Sequence, residues 1–208
     1  MSEKNFAVYA NKQAQLFMVI GDAITRWANL ESVLFVTFCT ATRLPTKTAA
    51  ALLVHIRTFS TMLDLVNTAV KCRIESGTEP YWNSLIEYVR ELSGDRNFIA
   101  HNPVIAHGRG HPATADWALI VPKVGPNQTG FYAGITRHDP IDIEEARELV
   151  ADFQQAVSLA MDFERALNSG STSHEKFSPP IVRRRPSRTE RQEAGKSAPK
   201  PPNQSSQP

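Results

Sequence analysis

Cysteine is scarce in this sequence, since Cys39 and Cys72 are the only two among 208 residues. So few thiols exclude the disulfide-rich scaffold of a small secreted protein. Cys39 lies inside an apolar helical pattern, which is typical of a reduced cysteine that packs in the core of a protein in a reducing compartment. The first five residues also lack the basic flank and the apolar run of an export signal. These absences predict a cytoplasmic protein.

Uninterrupted apolar runs are missing as well. The most apolar stretch, residues 16–41, is broken by Asp22, Arg26 and Glu31, which excludes a membrane span and predicts a buried amphipathic helix instead. The whole chain is 41% hydrophobic and 21% charged, with a formal net charge of +2. This composition is typical of a soluble globular protein and indicates no membrane partner.

Apolar side chains become rare in residues 169–208. This segment carries seven of the fourteen prolines, and eight Lys or Arg against three Glu. It cannot bury enough apolar surface to offset its chain entropy, so we expect a disordered basic tail. Its run Arg183–Arg188 can attract a polyanion such as RNA, although a solvated tail explains the same composition.

Ahead of the tail, in residues 1–168, apolar residues recur every three to four positions in four segments. This period predicts four helices, at residues 8–42, 46–77, 78–95 and 142–168. The apolar stripe of the first helix consists of Ile20, Ile24, Trp27, Leu30, Leu34 and Phe38.

Local signals set the ends of these helices. The first should stop before Pro45, because the residue preceding a proline is biased out of the helical region, and Thr46 can cap the second. Gly94 can either break or bend the third. Residues Asp142–Glu145 form a capping box, with Ile141 as its hydrophobic staple, and predict the start of the fourth.

Alternation replaces the helical period between residues 113 and 137. The alternating residues are Trp117, Leu119 and Val121 on one arm and Phe131, Ala133 and Ile135 on the other. They predict a small β-hairpin at about residues 115–136. The predicted fold is therefore all-α, an antiparallel four-helix bundle with a β-hairpin insertion and a disordered basic C-terminal tail.

Three polar residues stand where the third apolar stripe ends, namely Arg96, Asn97 and His101. On a helix, Asn97 and His101 share a face and Arg96 projects about a quarter turn away, so the three can hold one anionic ligand. If a helix begins at this point, Asp95 can cap it, and the helix N-terminus favours a phosphate nearby.

Two alternatives compete with an anion site. Arg96 can instead form an ion pair with Glu31, the acid inside the apolar stripe of the first helix. Glu31 is also a candidate to orient the residues of the site without itself contacting the ligand. His101, His107 and His111 can be considered as a metal set, but the residues between the last two are flexible and no cysteine lies close. We therefore expect neither a metal nor a cofactor.

The Arg96-Asn97-x3-His101 spacing resembles the HEPN superfamily, helical bundles with an Arg-x(4 to 6)-His motif and a polar residue, often Asn, after the Arg. The helical frame of about residues 8–168, with Trp27–Glu31 on an early helix, is also similar to this family. The resemblance implies a metal-independent endoribonuclease of a toxin–antitoxin, phage-defence or RNA-processing system, with an antitoxin or another neighbouring partner. The alternative is a non-catalytic interaction or nucleotide-binding module.

The residue types suit RNA cleavage by attack of a ribose 2′-hydroxyl on the adjacent phosphate, which needs a base, an acid and a cation. His101 suits proton transfer near neutral pH, Arg96 presents a fork of donors to phosphate oxygens, and Asn97 can orient His101 or donate to the phosphate. One imidazole cannot be base and acid at once. The resemblance implies a homodimer that joins both motifs at one seam. We expect the aromatic and aliphatic residues that precede the motif to be buried at this seam, and the Trp27 face of the first helix is a further candidate.

Overall fold

The computed structural model describes residues 3–102, 104–107, 116–119 and 141–170. These residues are mostly helical. The helices are α1 (Glu3–Thr42), α2 (Thr46–Leu53), α3 (Phe59–Lys71), α4 (Glu79–His101) and α5 (Ile143–Ser169), and the strands are β1 (Val104–His107) and β2 (Asp116–Leu119). No helix in these ranges is long and apolar enough to cross a membrane.

The predicted first helix agrees with α1, which stops just before Leu44 and Pro45. Its buried row contains Trp27, Leu30 and Leu34, each at most 2% exposed. Ile24, predicted in the same stripe, is instead 36% exposed, and Ala23 takes the buried position beside it. The core-facing row is therefore displaced by one residue in the lower half of α1, the part before Trp27.

The predicted second helix is wrong as a single element, because residues 54–58 are not helical and separate α2 from α3. Thr58 caps α3, its hydroxyl accepting a hydrogen bond from the Thr61 amide at 3.2 Å. This local bond competes with a continuous helix. The predicted cap at Thr46 is also wrong, since Pro45 occupies the N-cap position of α2 and makes no side-chain bond there.

Helix α4 runs antiparallel to α5. The Tyr81 hydroxyl donates to the carbonyl of Leu159 at 3.3 Å, and the Tyr88 hydroxyl donates to the carbonyl of Asp152 at 3.2 Å. Moving forward along α4 therefore means moving backward along α5. This pair of helices has the direction that the sequence predicts.

Helix α1, by contrast, runs parallel to α5, its main neighbour. Arg26 donates to Gln154, and Thr40 donates to Glu164 at 3.0 Å, so both chains advance together. The prediction of antiparallel packing is wrong for this pair. The reason is that α2 and residues 54–58 lead the chain back down the bundle before α3 begins. This adds one change of direction to those of four continuous helices, so the last helix runs in the same direction as the first.

Four large aromatic side chains form the centre of the core, and each is at most 2% exposed: Trp27, Trp82, Phe153 and Phe163. The ring centroids of Trp27 and Phe153 are 5.3 Å apart, and those of Trp82 and Phe163 are 4.6 Å apart. Burial of such rings contributes roughly 1.5–3 kcal/mol each. The Trp82 indole also donates to the amide oxygen of Asn67 at 2.8 Å, so its buried N–H is satisfied.

Helix α3 packs only against the upper half of α1, the part from Trp27 to Thr42. Its first residue, Phe59, contacts Trp27 with ring centroids 4.7 Å apart. Its last residue, Lys71, pairs with Glu79 at the start of α4, at 3.4 Å. The helix thus begins midway along α1 and runs toward the upper end, leaving the part of α1 before Trp27 without this neighbour.

The strands β1 and β2 form an antiparallel pair, with Val104 opposite Leu119. Leu119 also forms a bridge with Ile141. Strand β2 lies within the first arm of the predicted hairpin, but its described partner is β1, which the sequence pattern had not indicated. The second arm and most of the tail, residues 171–208, lie outside the described residues.

The start of α5 confirms the local signals. The Asp142 carboxylate accepts a hydrogen bond from the Glu145 amide at 2.9 Å, and Ile141 is 1% exposed. At the other end, Gly170 adopts the left-handed conformation with φ 68°, which glycine reaches without steric cost.

We predict that Asp142→Ala lowers the free energy of unfolding by about 1 kcal/mol, because the Glu145 amide loses its capping acceptor. Asp162→Ala is the matched control: it removes a solvent-exposed carboxylate paired with Arg165 on the same helix and should cost less than about 0.5 kcal/mol. Urea denaturation measures both. Equal losses would show that the cap adds nothing.

A second prediction concerns alkaline pH. Burial, reinforced by the nearby Asp162 carboxylate, raises the pKa of the Tyr81 hydroxyl to about 12, whereas an unfolded tyrosine has a pKa of about 10. The unfolded chain therefore loses this proton first. Tyr81 should leave stability unchanged below about pH 10 and reduce it as the pH rises from about 10 to about 12.

Urea denaturation of the wild type and Tyr81→Phe across that range measures this effect. The variant loses the hydrogen bond to Leu159 at every pH, but its stability should fall less steeply as the pH rises. Parallel pH profiles for the two proteins would contradict the prediction.

Candidate functional site

Arg96 occupies a position in the core-facing row of α4. It lies four residues after Leu92 and three before Ile99, and the row also contains Leu85 and Val89; these four apolar residues are at most 4% exposed. Helical geometry therefore directs the start of the Arg96 side chain toward the bundle interior. The residue as a whole is half-buried.

The Arg96 guanidinium is incompletely satisfied. Its Nε is the one buried side-chain nitrogen or oxygen without a hydrogen-bond partner in the described part of the chain. Leaving such a donor unpaired costs roughly 1–3 kcal/mol. Native proteins rarely keep an orphan of this kind without a ligand, a water or a functional reason.

Asn97 is the described partner of this guanidinium. Arg96 Nη1 donates to Asn97 Oδ1 at 3.2 Å, and Asn97 is exposed. The structure thus brings together two of the three predicted site residues. Asn97 holds the outer edge of Arg96, whereas the sequence predicted that it orients His101 or donates to a phosphate.

His101 lies in the last turn of α4 with an exposed side chain. It follows Asn97 by four residues and shares its side of the helix, while it projects about 140° away from Arg96 around the axis. Among the described residues, no side-chain hydrogen bond joins His101 to Arg96 or Asn97. The imidazole stands at the surface, beside the Arg96–Asn97 pair.

Of the two alternatives at Gly94, a break does not occur, because α4 continues through Gly94 and ends at His101. Asp95 therefore does not cap a helix start. The side chain of Asn102 closes this end, its Nδ2 donating to the carbonyl of Phe98 at 2.7 Å. A helix C-terminus carries the negative end of the helix dipole and disfavours an anion. Attraction of a phosphate here depends on the Arg96 charge.

Glu31 does not take the predicted position beside Arg96. Its carboxylate accepts a hydrogen bond from the Trp27 indole at 2.7 Å, and Trp27 and Tyr88 both lie at the level of residues 152 and 153 on α5. Glu31 is above that level and Arg96 is below it, so they are separated by roughly 18 Å along the bundle. Glu31 satisfies a buried indole and cannot orient this site.

Other described features lie apart from the motif. A cavity of about 310 Å³ between α1, β2 and the start of α5 is bordered by Leu16, Trp117 and Asp142 but by none of the three motif residues. Within the described ranges, no group of three or more His, Cys, Asp or Glu side chains could hold a metal ion. His111, one member of the metal set considered above, is outside those ranges.

The chain matches no protein-family model, no curated protein and no solved structure. The HEPN resemblance therefore rests on the spacing of Arg96, Asn97 and His101 and on the helical frame around them.

We predict that Arg96→Met raises the free energy of unfolding by about 1 kcal/mol, because it keeps the apolar length of the side chain and removes an orphan donor. Loss of one member of a buried ion pair would instead cost about 3–5 kcal/mol. Urea denaturation separates the two results. Arg90→Met is the matched control on the same helix, since Arg90 is an exposed partner of Asp64 and should change stability by less than about 0.5 kcal/mol.

Proposed function

We propose that this protein is a metal-independent endoribonuclease of HEPN type, with Arg96, Asn97 and His101 as its site. The supporting observation is the Arg96 guanidinium, which projects from an apolar helix row with its Nε unpaired. An anion that accepts from this group would satisfy a donor that the described protein leaves without a partner. Phosphate oxygens match the planar fork of guanidinium donors.

The proposed reaction is attack of a ribose 2′-hydroxyl on its own 3′-phosphate. The 2′-oxygen forms a bond to phosphorus, the bond from phosphorus to the 5′-oxygen of the next nucleotide breaks, and a 2′,3′-cyclic phosphate remains. A base takes the proton of the 2′-hydroxyl and an acid gives a proton to the leaving 5′-oxygen. Histidine suits both tasks because it exchanges a proton near neutral pH.

Arg96 serves this reaction by stabilising the charge that develops on the phosphate oxygens. Asn97 serves it by positioning Arg96, since its Oδ1 accepts the hydrogen bond from Nη1 at 3.2 Å. Holding the guanidinium in place before the phosphate arrives removes part of the ordering cost of binding. The division of roles is one charged group, one positioning group and one proton-transfer group per chain.

A single exposed imidazole supplies either the base or the acid. We therefore include a homodimer in the proposal, with His101 of each copy on opposite sides of one scissile phosphate. The cytoplasmic location, the four-helix frame of the family and the toxin or phage-defence context implied by the resemblance belong to the same proposal.

RNA cleavage by the purified protein in EDTA tests this function. We predict that Arg96→Ala and His101→Ala each lower the cleavage rate by about 100-fold or more, because each removes a group used in the transition state. Asn97→Ala should lower it less, because the guanidinium remains. Arg90→Ala, which removes another cation of α4, should cleave at the wild-type rate.

The cleaved ends should carry a 2′,3′-cyclic phosphate or its hydrolysis product. A wild-type protein that retains RNA on a filter but never cleaves it would favour the non-catalytic binding module instead. Equal cleavage by the wild type and both Arg96→Ala and His101→Ala would assign any activity to another site or to a contaminant.

A further inference from the structure

The cavity of about 310 Å³ lies at the lower end of the bundle, where α4 stops and α5 begins. Helix α1, strand β2 and the first turn of α5 surround it. Leu16 and Ile143 form its apolar wall beside the ring of Trp117. A cavity of this size, with apolar and aromatic walls and a few polar groups, suits one small ligand.

Trp117 gives the cavity an aromatic surface. Its side chain is half-buried at the edge of the core, whereas the other two tryptophans, Trp27 and Trp82, are at most 2% exposed. Trp27, expected at a seam between subunits, is covered instead by Phe59 and Phe153 of its own chain. Trp117 is therefore the tryptophan whose ring can stack with a ligand, as nucleobases stack on aromatic side chains.

Four exposed polar side chains border the cavity: Lys12, Gln15, Asp142 and Glu144. Asp142 caps α5 through Oδ1, and the second oxygen of a carboxylate can accept from a ligand. The Gln15 amide donates to Asn11 at 3.3 Å, which positions a group that can both donate and accept. The edge of the cavity thus presents several acceptors to a ligand with N–H groups.

The charges at this edge distinguish a base from a phosphate. Asp142 and Glu144 stand against Lys12, and Arg147 pairs with Glu144 from the outside. The edge therefore carries no net positive charge, which a phosphate needs. Carboxylates instead accept from the exocyclic amino groups of bases, and glutamine pairs with the edge of adenine.

The cavity lies at the same height in the bundle as the end of the motif. Trp27 and Tyr88 share one level. Leu16 is eleven residues before Trp27, or roughly 17 Å below that level, and His101 is thirteen residues after Tyr88, or roughly 20 Å below it. Strand β1 starts three residues after His101 and pairs with β2, which carries Trp117. One RNA strand can therefore reach both the motif and the cavity.

We propose that this cavity binds a nucleobase with an exocyclic amino group, namely adenine, cytosine or guanine, in the RNA strand that the motif cleaves. The choice of RNA as the ligand rests on the proposed function. The base stacks on Trp117 and donates to the carboxylates at the edge, while the phosphate stays outside the cavity and meets Arg96. The cavity supplies base preference and the motif supplies the chemistry.

Binding of mononucleotides to the full chain tests this proposal without any cleavage. Adenosine and cytidine monophosphates should quench the tryptophan fluorescence to a saturating limit, because a base that stacks on Trp117 changes its emission. Uridine monophosphate has no amino group and should need a concentration at least about 10-fold higher. Trp117→Phe should abolish the quenching, since Trp27 and Trp82 are buried.

Equilibrium dialysis with labelled adenosine monophosphate measures the affinity of variants. Trp117→Leu should raise the dissociation constant by roughly 10-fold or more, because it removes the stacking ring; helical circular dichroism checks its fold. Gln15→Ala changes an exposed residue, so it tests the cavity even where Trp117→Leu unfolds, and should raise the constant by roughly 5-fold.

Gln13→Ala is the matched control. Gln13 lies on the same helix but projects about 160° away from Gln15, so its loss should leave the affinity unchanged. Absence of saturable quenching by the adenosine and cytidine monophosphates would overturn the proposal. So would equal binding of uridine monophosphate, or a dissociation constant that Gln13→Ala raises as much as Gln15→Ala.

RNA cleavage measured on the same samples separates this inference from the proposed function. Mononucleotide binding that depends on Trp117, in a protein that cleaves no RNA, would support the cavity and contradict the endoribonuclease. A protein that cleaves RNA but binds no mononucleotide would support the endoribonuclease and contradict the cavity.

Discussion

Arg96 places a permanently charged group in a helix row that otherwise holds residues such as Val89, Leu92 and Ile99, and it does so with one donor left unpaired. The position is tolerable because Arg96 lies below the level at which α3 begins, so the tip of its long side chain can still reach the surface. Asn97 then fixes that tip. An apolar residue would suit the row better, so the guanidinium costs stability that an anionic ligand can return.

The interruption at residues 54–58 controls more than the count of helices. It lets the chain return to the level of Trp27 before α3 starts, so α3 spans half of the bundle and α1 runs parallel to α5. The accessible tip of Arg96 follows from this shortened helix. The exposure of the candidate site is thus a consequence of one change in the path of the chain.

The sequence predicted those features that local chemistry decides. Pro45 marks the end of α1 and Asp142 caps α5, because each acts on its own backbone neighbours. The break after α2 was not predicted, because the apolar period of the sequence continues through Ile56. The signal for a new helix start is a single capping threonine, Thr58. Helix directions escaped because they depend on that break.

The candidate site divides in the same way. Arg96 follows Leu92 by four residues and precedes Ile99 by three. Helical periodicity alone could therefore have identified Arg96 as a charged residue in an apolar row. Periodicity could not identify the partner of Arg96. Glu31, the predicted partner, is roughly 18 Å away along the bundle and accepts a hydrogen bond from Trp27. Because α4 ends at His101, the last residue of the motif, its dipole opposes an anion there, and Arg96 must supply the attraction without help from the helix.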